Sequence, residues 1–221
     1  MATATRWHTC IRAWTWRSSS EVRHRAIWLR IAVHMVALAP LAFLAWDWSQ
    51  GQLTANPIEE VQRRTGRWTL TWLVASLACT PVYTVSGIRQ VLPLRRTLGL
   101  YAFAYAALHF MNFVGLDYGF DLALIREDIF EKPYAVVGFA AFLVLMALAA
   151  TSTSGWRRRL GANWQRLHFL VFAAALLAIV HLAWQEKVNS PRPYIYGTAV
   201  ALLLLARLPW VRKILGRGAS E

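Results

Sequence analysis

Six apolar windows of this chain are candidates to cross a lipid bilayer, and no other feature restricts its fold so tightly. A crossing helix needs roughly 17 to 25 mainly apolar residues. The windows run from Ile31 to Trp48, Trp68 to Val85, Leu98 to Val114, Pro133 to Ala150, Leu167 to Trp184 and Tyr194 to Leu208, the last being the shortest. With 57% hydrophobic and 16% charged residues over 221 positions, the chain is too apolar for an ordinary soluble domain. The expected fold is an all-α six-transmembrane-helix bundle over residues 31–208, between basic tails at 1–30 and 209–221. The connections are too short to hold a second folded domain.

A net charge of +13 raises the question of nucleic acid, and the placement of the charges answers it. With a cytoplasmic N-terminus, the two tails, the loop Arg89 to Arg96 and the loop Arg157 to Arg166 all face inward. Together with Arg207 these segments hold 17 of the 24 Lys and Arg and, among the acids, only Glu21 and Glu221. That asymmetry predicts an even number of crossings with both termini in the cytoplasm, and charge that meets anionic lipid rather than nucleic acid. Removing the first window as a signal peptide would undo the partition, so it is read as a retained span. Cys10 and Cys79 lie too far apart in depth to pair, and no C-x-x-C-H marks covalent haem. Trp46, Trp48, Trp68, Trp72, Trp164 and Trp184 fall at span ends, where interfacial tryptophan belts lie. Pro40 and Pro81 fall inside spans and predict kinked or locally open helices.

The histidines carry the chemistry. His34 lies in the first window, His109 in the third, and His168 and His181 in the fifth. Titratable groups in a membrane interior are costly, and no Asp, Glu or Lys lies deep in a span to pair with them. A histidine so placed needs a metal, a hydrogen bond or water. His109 lies thirteen residues past Arg96 and His181 fifteen past Arg166. At 1.5 Å per residue both sit roughly 20 Å from the cytoplasmic end, a depth at which they could share one haem iron. His168 and His34, two and four residues past the nearest arginine, lie at the inner level, where a second haem could bind. On an ideal helix the thirteen residues from His168 to His181 set their side chains about 140° apart, so either that span is distorted or the two haems are approached from different sides. Zinc is disfavoured, since no two histidines fall at i, i+4. No nucleophile with a base, carboxylate pair or phosphate loop is visible, so the chain reads as an electron carrier without a substrate pocket of its own.

Several strings taken in order carry a family resemblance: R-R-T-L-G-L-Y-A-F-A-Y-A-A-L-H (Arg95 to His109), K-P-Y (Lys132 to Tyr134), A-x-T-S-T (Ala149 to Thr153), L-G-A-N-W-Q-R-L-H (Leu160 to His168) and I-V-H-L-A-W (Ile179 to Trp184). N-P-I-E-E (Asn56 to Glu60), T-G-R (Thr65 to Arg67) and S-P-R-P-Y-I-Y (Ser190 to Tyr196) belong with them. Together they resemble the MsrQ family, formerly YedZ, the haem-binding membrane subunits of the bacterial periplasmic methionine sulfoxide reductase system. Wider relatives are the membrane domains of ferric reductases and NADPH oxidases, which carry two histidines on each of two helices. Here the third window offers only His109, and Arg96 stands thirteen positions before it. The inner haem thus lacks a ligand from that helix, and His34 becomes a candidate.

The resemblance implies one or two haems b held by His109, His181 and His168, with His34 the candidate further ligand. It implies a multi-pass protein of the bacterial inner membrane taking electrons from quinol or a cytosolic flavin reductase. They would pass to MsrP, a periplasmic molybdopterin-containing subunit that reduces methionine sulfoxide. The family is also linked to FMN, whose phosphate, or the haem propionates, could meet Arg89, Arg95, Arg96, Arg157, Arg158 and Arg159. Two other functions remain open from the residues: a stand-alone ferric or quinone reductase, and a transporter or assembly factor without haem.

Overall fold

The apolar windows fold as helices in a computed structural model that describes residues 4–186, 190–208 and 211, with side chains from Ile27 onward. Two compact units, Met1–Leu41 and Ala42–Glu221, divide the chain. Helix α1 (Ala4–Ser49) makes up the first unit and runs on into the second, so the expected basic tail is helical from Ala4. The C-terminal tail, 209–221, lies outside the described residues apart from Val211.

The second unit continues with α2 (Pro57–Ser86), a short 3₁₀ turn (Arg89–Val91), α3 (Leu94–Met111), a π-helical turn (Asn112–Asp117), α4 (Leu122–Glu131) and α5 (Pro133–Ala150). It closes with α6 (Ser154–Leu160), α7 (Ala162–His168), α8 (Leu170–Gln185) and α9 (Arg192–Leu205). Among the described residues, five helical stretches are long and apolar enough to cross a membrane: Ile27–Ser49, Pro57–Ser86, Arg89–Asp117, Pro133–Ala150 and Ala162–Gln185. The sixth window became the 14-residue α9. At 1.5 Å per residue that helix is about 21 Å long, short of a hydrocarbon core of about 30 Å.

Helix starts follow from local chemistry. The Asn56 side chain caps α2 by accepting from Glu59 N at 3.3 Å, with Pro57 in the first turn. Gly87 ends α2 at φ 69°, a left-handed conformation that favours glycine. The main packing pairs are α2 with α3 and α5 with α8, and α3 joins the two pairs through α5. Leu70, Leu73 and Leu77 of α2 recur at helical spacing and are buried, as are Leu94, Leu98, Ala102 and Tyr105 of α3. Phe142 of α5 stacks on Phe110 (4.7 Å between centroids) and Phe103 (6.0 Å) of α3. The outward faces stay apolar, with Phe169, Leu176 and Leu202 more than half exposed, as suits helices whose surroundings are lipid.

Pro81 shows how an interior proline is accommodated. Lacking an N–H, it leaves the carbonyl four residues earlier, that of Leu77, without its helical donor. Arg207 supplies the bond instead, its Nη2 donating to Leu77 O at 2.7 Å. α2 therefore runs through Pro81, and α1 likewise through Pro40.

The expected aromatic belt holds in part. Trp46, Trp48 and Trp184 are exposed at helix ends. Trp72 is a correction: it is 7% exposed, stacked on Trp68 at 5.6 Å and packed near Tyr101, because its position on α2 turns it toward α3. Trp164, half-buried near the start of the span Ala162–Gln185, also serves a histidine as described below.

Before α5 the chain makes a polar cluster outside the five spans. Lys132 pairs with Asp128, and hydrogen bonds from Lys132 and Tyr118 hold the Asp128 carboxyl below its ordinary range even though burial opposes this. Burial, then the bond to Asp128, pushes the Tyr118 hydroxyl up to about 12. The shift favours the protonated, folded form, so its contribution is complete below pH 10 and lost as pH rises toward 12. Tyrosinate absorbance titrated in the protein and in Tyr118→Phe should differ by one late-ionising group; identical curves would contradict the assignment.

Candidate functional site

His109 and His181 come together from α3 and α8, with ring centroids 6.1 Å apart and planes at 86°. Each is tied down in the same way. His109 Nδ1 lies 2.9 Å from the carbonyl of Gln62, and His181 Nδ1 lies 2.8 Å from the carbonyl of Tyr134. A carbonyl only accepts, so in each ring the proton sits on Nδ1 and Nε2 keeps its lone pair. Four residues beyond each carbonyl, one turn on and on the same helix face, stands a glycine: Gly66 on α2 and Gly138 on α5.

Those glycines are where the rings lie. A Cβ on Gly66 would stand 3.0 Å from His109 Cε1, and one on Gly138 would stand 2.6 Å from His181 Nδ1. Each imidazole thus rests in a cradle made of one carbonyl and one missing side chain.

A polar relay completes the His109 side. The Thr65 hydroxyl donates to Val61 O at 2.7 Å and lies 3.4 Å from His109 Nδ1. Asn112 Nδ2 donates to Gln62 Oε1 at 2.7 Å and to Ile58 O at 3.2 Å. With its oxygen so engaged, Gln62 turns its amide nitrogen to His109 Nε2, 3.3 Å away. Asn112 opens the π-helical turn, where widening of the helix is common beside functional groups.

His168 is held differently. Trp164, one turn before it, stacks on its ring at 4.0 Å and 26°, and the indole N–H donates to Thr151 O at 2.9 Å. The Thr151 hydroxyl donates to Ala147 O at 2.7 Å and lies 3.3 Å from His168 Nε2. The helix breaks at once afterwards, at Phe169, and Phe172 N bonds to Phe169 O in a 3₁₀ step. A 3₁₀ residue turns roughly 120° instead of 100°, so this break carries His168 and His181 toward a common side. The fifth span is thus broken at Phe169, and one such residue narrows the separation only from about 140° to about 120°.

His34 lies on α1 in the first unit and is exposed. Arg89 sits in the 3₁₀ turn and Arg96 in the first turn of α3, both exposed, as are Arg157, Arg158 and Arg159 of α6. Arg95 is half-buried and within electrostatic reach of His168. Gln62, Gly66, Asn112, Gly138, Tyr134, Thr151 and Trp164 are contacts that sequence reasoning did not assign. Gly66, Tyr134, Thr151 and Trp164 stood inside the quoted strings T-G-R, K-P-Y, A-x-T-S-T and L-G-A-N-W-Q-R-L-H. Gln62, Asn112 and Gly138 carried no signal.

Comparison with known proteins bears on this geometry. The family described as "Ferric reductase like transmembrane component" matches residues 65–179, which hold His109, His168, Gly66 and Gly138 and stop two positions before His181. A "Protein-methionine-sulfoxide reductase heme-binding subunit MsrQ" of Xanthomonas euvesicatoria pv. vesicatoria (strain 85-10) is 45% identical over 178 residues, covering 78% of this chain and 82% of the relative. The protein of that name from Xanthomonas oryzae pv. oryzae (strain MAFF 311018) is 44% identical with the same coverage. That from Xanthomonas campestris pv. campestris (strain 8004) is 43% identical over 189 residues, 83% of this chain and 86% of the relative. Five crossing-length helices, the matched transmembrane family and this identity over most of both chains make it a multi-pass membrane protein that belongs to the MsrQ family of ferric reductase-like proteins.

Proposed function

We propose that this chain is a b-type haem electron carrier of the bacterial inner membrane, with six crossings and both termini cytoplasmic. It takes electrons from quinol or a cytosolic flavin reductase and delivers them to the periplasmic molybdenum-containing subunit MsrP, which reduces methionine sulfoxide. The observation that carries the reading is the His109–His181 pair, 6.1 Å between ring centres. A metal–imidazole bond of about 2 Å on each side, with roughly 1 Å from ring nitrogen to ring centre, sets two imidazoles on one metal about 6 Å apart. The relatives named as heme-binding subunits support the same cofactor.

The residues fit such a group. The Gln62 and Tyr134 carbonyls fix the tautomer and aim of each ring, which raises ligand basicity. Gly66 and Gly138 let the rings seat against their helices, and the Phe103–Phe142–Phe110 stack between α3 and α5 keeps water away. When bound, haem supplies a one-electron couple tuned by its axial ligands, burial and hydrogen bonds. Toward the cytoplasm His168, oriented by Thr151 and Trp164, anchors a second haem. Arg95 and the exposed arginines Arg89, Arg96, Arg157, Arg158 and Arg159 serve propionates or an FMN phosphate there.

The purified protein should show a low-spin b-type spectrum and, once reduced, be reoxidised by the periplasmic partner. No Soret band would favour the transporter or assembly-factor reading. Reoxidation that does not depend on the partner would favour a stand-alone reductase.

A further inference from the structure

Next to the His109 cradle, α2 carries a second stripe that the electron-carrier reading does not use. Gln62, Thr65, Gly66 and Thr69 recur at three- and four-residue spacing on the His109 side. Arg63, Arg67 and Thr71 form the neighbouring stripe, and Thr71 Oγ1 meets Tyr196 OH of α9 at 2.8 Å. Arg67 is half-buried, and its Nε is buried with no hydrogen-bond partner. Around it lie Arg192, Tyr196, Arg63 and Glu186.

The cations are unequally served. Arg63 pairs with Glu60, and Arg192 Nη1 donates to Glu186 at 2.9 Å, which holds the Glu186 carboxyl below its ordinary range. Arg67 is left to share the one carboxylate that Arg192 already occupies. A guanidinium N–H buried without an acceptor is costly, and convergent arginines add repulsion. An anion that reached Arg67 would relieve both, and the planar fork suits a carboxylate. The orphan atom is buried, unlike the exposed Arg63, and Arg67 directly follows Gly66, where the His109 ring lies against α2, so the anion that fits is a buried one at the outer-site level of α2.

We propose that Arg67, backed by Arg192, is a carboxylate-binding corner of the outer site and holds a propionate of the haem bound between His109 and His181. The proposal rests on that haem reading. The alternative source of the same chemistry is an acidic side chain of a partner protein.

The haem measurements use the purified chain without its partner, and the association measurement adds the partner. Arg67→Gln should keep low-spin haem but lower its reduction potential, since a positive charge near the iron is lost, and weaken retention of the outer haem about tenfold or more. Arg67→Lys should restore part of both. Reconstitution with haem whose propionates are methyl esters should give the original protein and Arg67→Gln the same retention, because the esterified haem has no carboxylate for Arg67 to hold. A difference in retention that persists with the esterified haem, or Arg67→Gln indistinguishable from the original with ordinary haem, would overturn the proposal. If Arg67→Gln instead weakens only association with the periplasmic partner, the carboxylate is the partner's and the proposal fails. Absence of haem from the original protein is a separate result, which would remove the electron-carrier reading itself.

Discussion

Gly138→Ala should empty the outer haem site almost as completely as removing His181. The new Cβ would lie 2.6 Å from His181 Nδ1 and 2.7 Å from Cε1, inside any tolerable contact. The obstacle is the α5 backbone, which cannot swing away as a side chain could, so the ring must leave the Tyr134 carbonyl. Overpacking of this kind typically costs about 1 to 3 kcal/mol, roughly a five- to 140-fold loss in haem affinity. Gly66→Ala meets His109 at 3.0 Å and should act in the same direction but less strongly. Gly155→Ala, whose nearest neighbour is 3.9 Å away, is the control. Haem titration of the purified variants decides; unchanged affinity in Gly138→Ala would contradict the cradle.

His168→Ala should remove the inner haem and leave the outer one in place. Thr151 and Trp164 engage His168 alone among the intramembrane histidines, and nothing in the His109 or His181 hydrogen bonding depends on them. The variant should keep a low-spin spectrum of about half the original intensity. Reduction by a cytoplasmic donor should be largely lost, while a small diffusible reductant still reduces the remaining haem. Loss of all haem would show that the two levels are not independent.

How much of this was legible beforehand depended on the period of the pattern. Long apolar windows announce themselves residue by residue, and five became crossing-length helices. The sixth, Tyr194 to Leu208, is apolar and forms the shorter helix α9, which ends at Leu205, because hydropathy does not measure helix length. The depth argument paired His109 with His181, and the two rings do meet. What spacing could not supply was the half of the site made from backbone. The carbonyls of Gln62 and Tyr134 belong to every residue type, and Gly138 acts through an atom it lacks. Trp164 was read as interfacial because indole is common there, whereas its N–H is spent on Thr151 and its face on His168. The angular mismatch within the fifth span assumed an ideal helix, and the break at Phe169 removes that assumption.

The central claim is that His109 and His181 share one iron. The direct measurement is haem per chain by pyridine haemochrome in His109→Ala, His181→Ala and the double variant. If the two rings serve one iron, each single variant loses one haem and the double variant loses no more than either. A double variant that loses twice as much, or a single variant that keeps full low-spin haem, would contradict it.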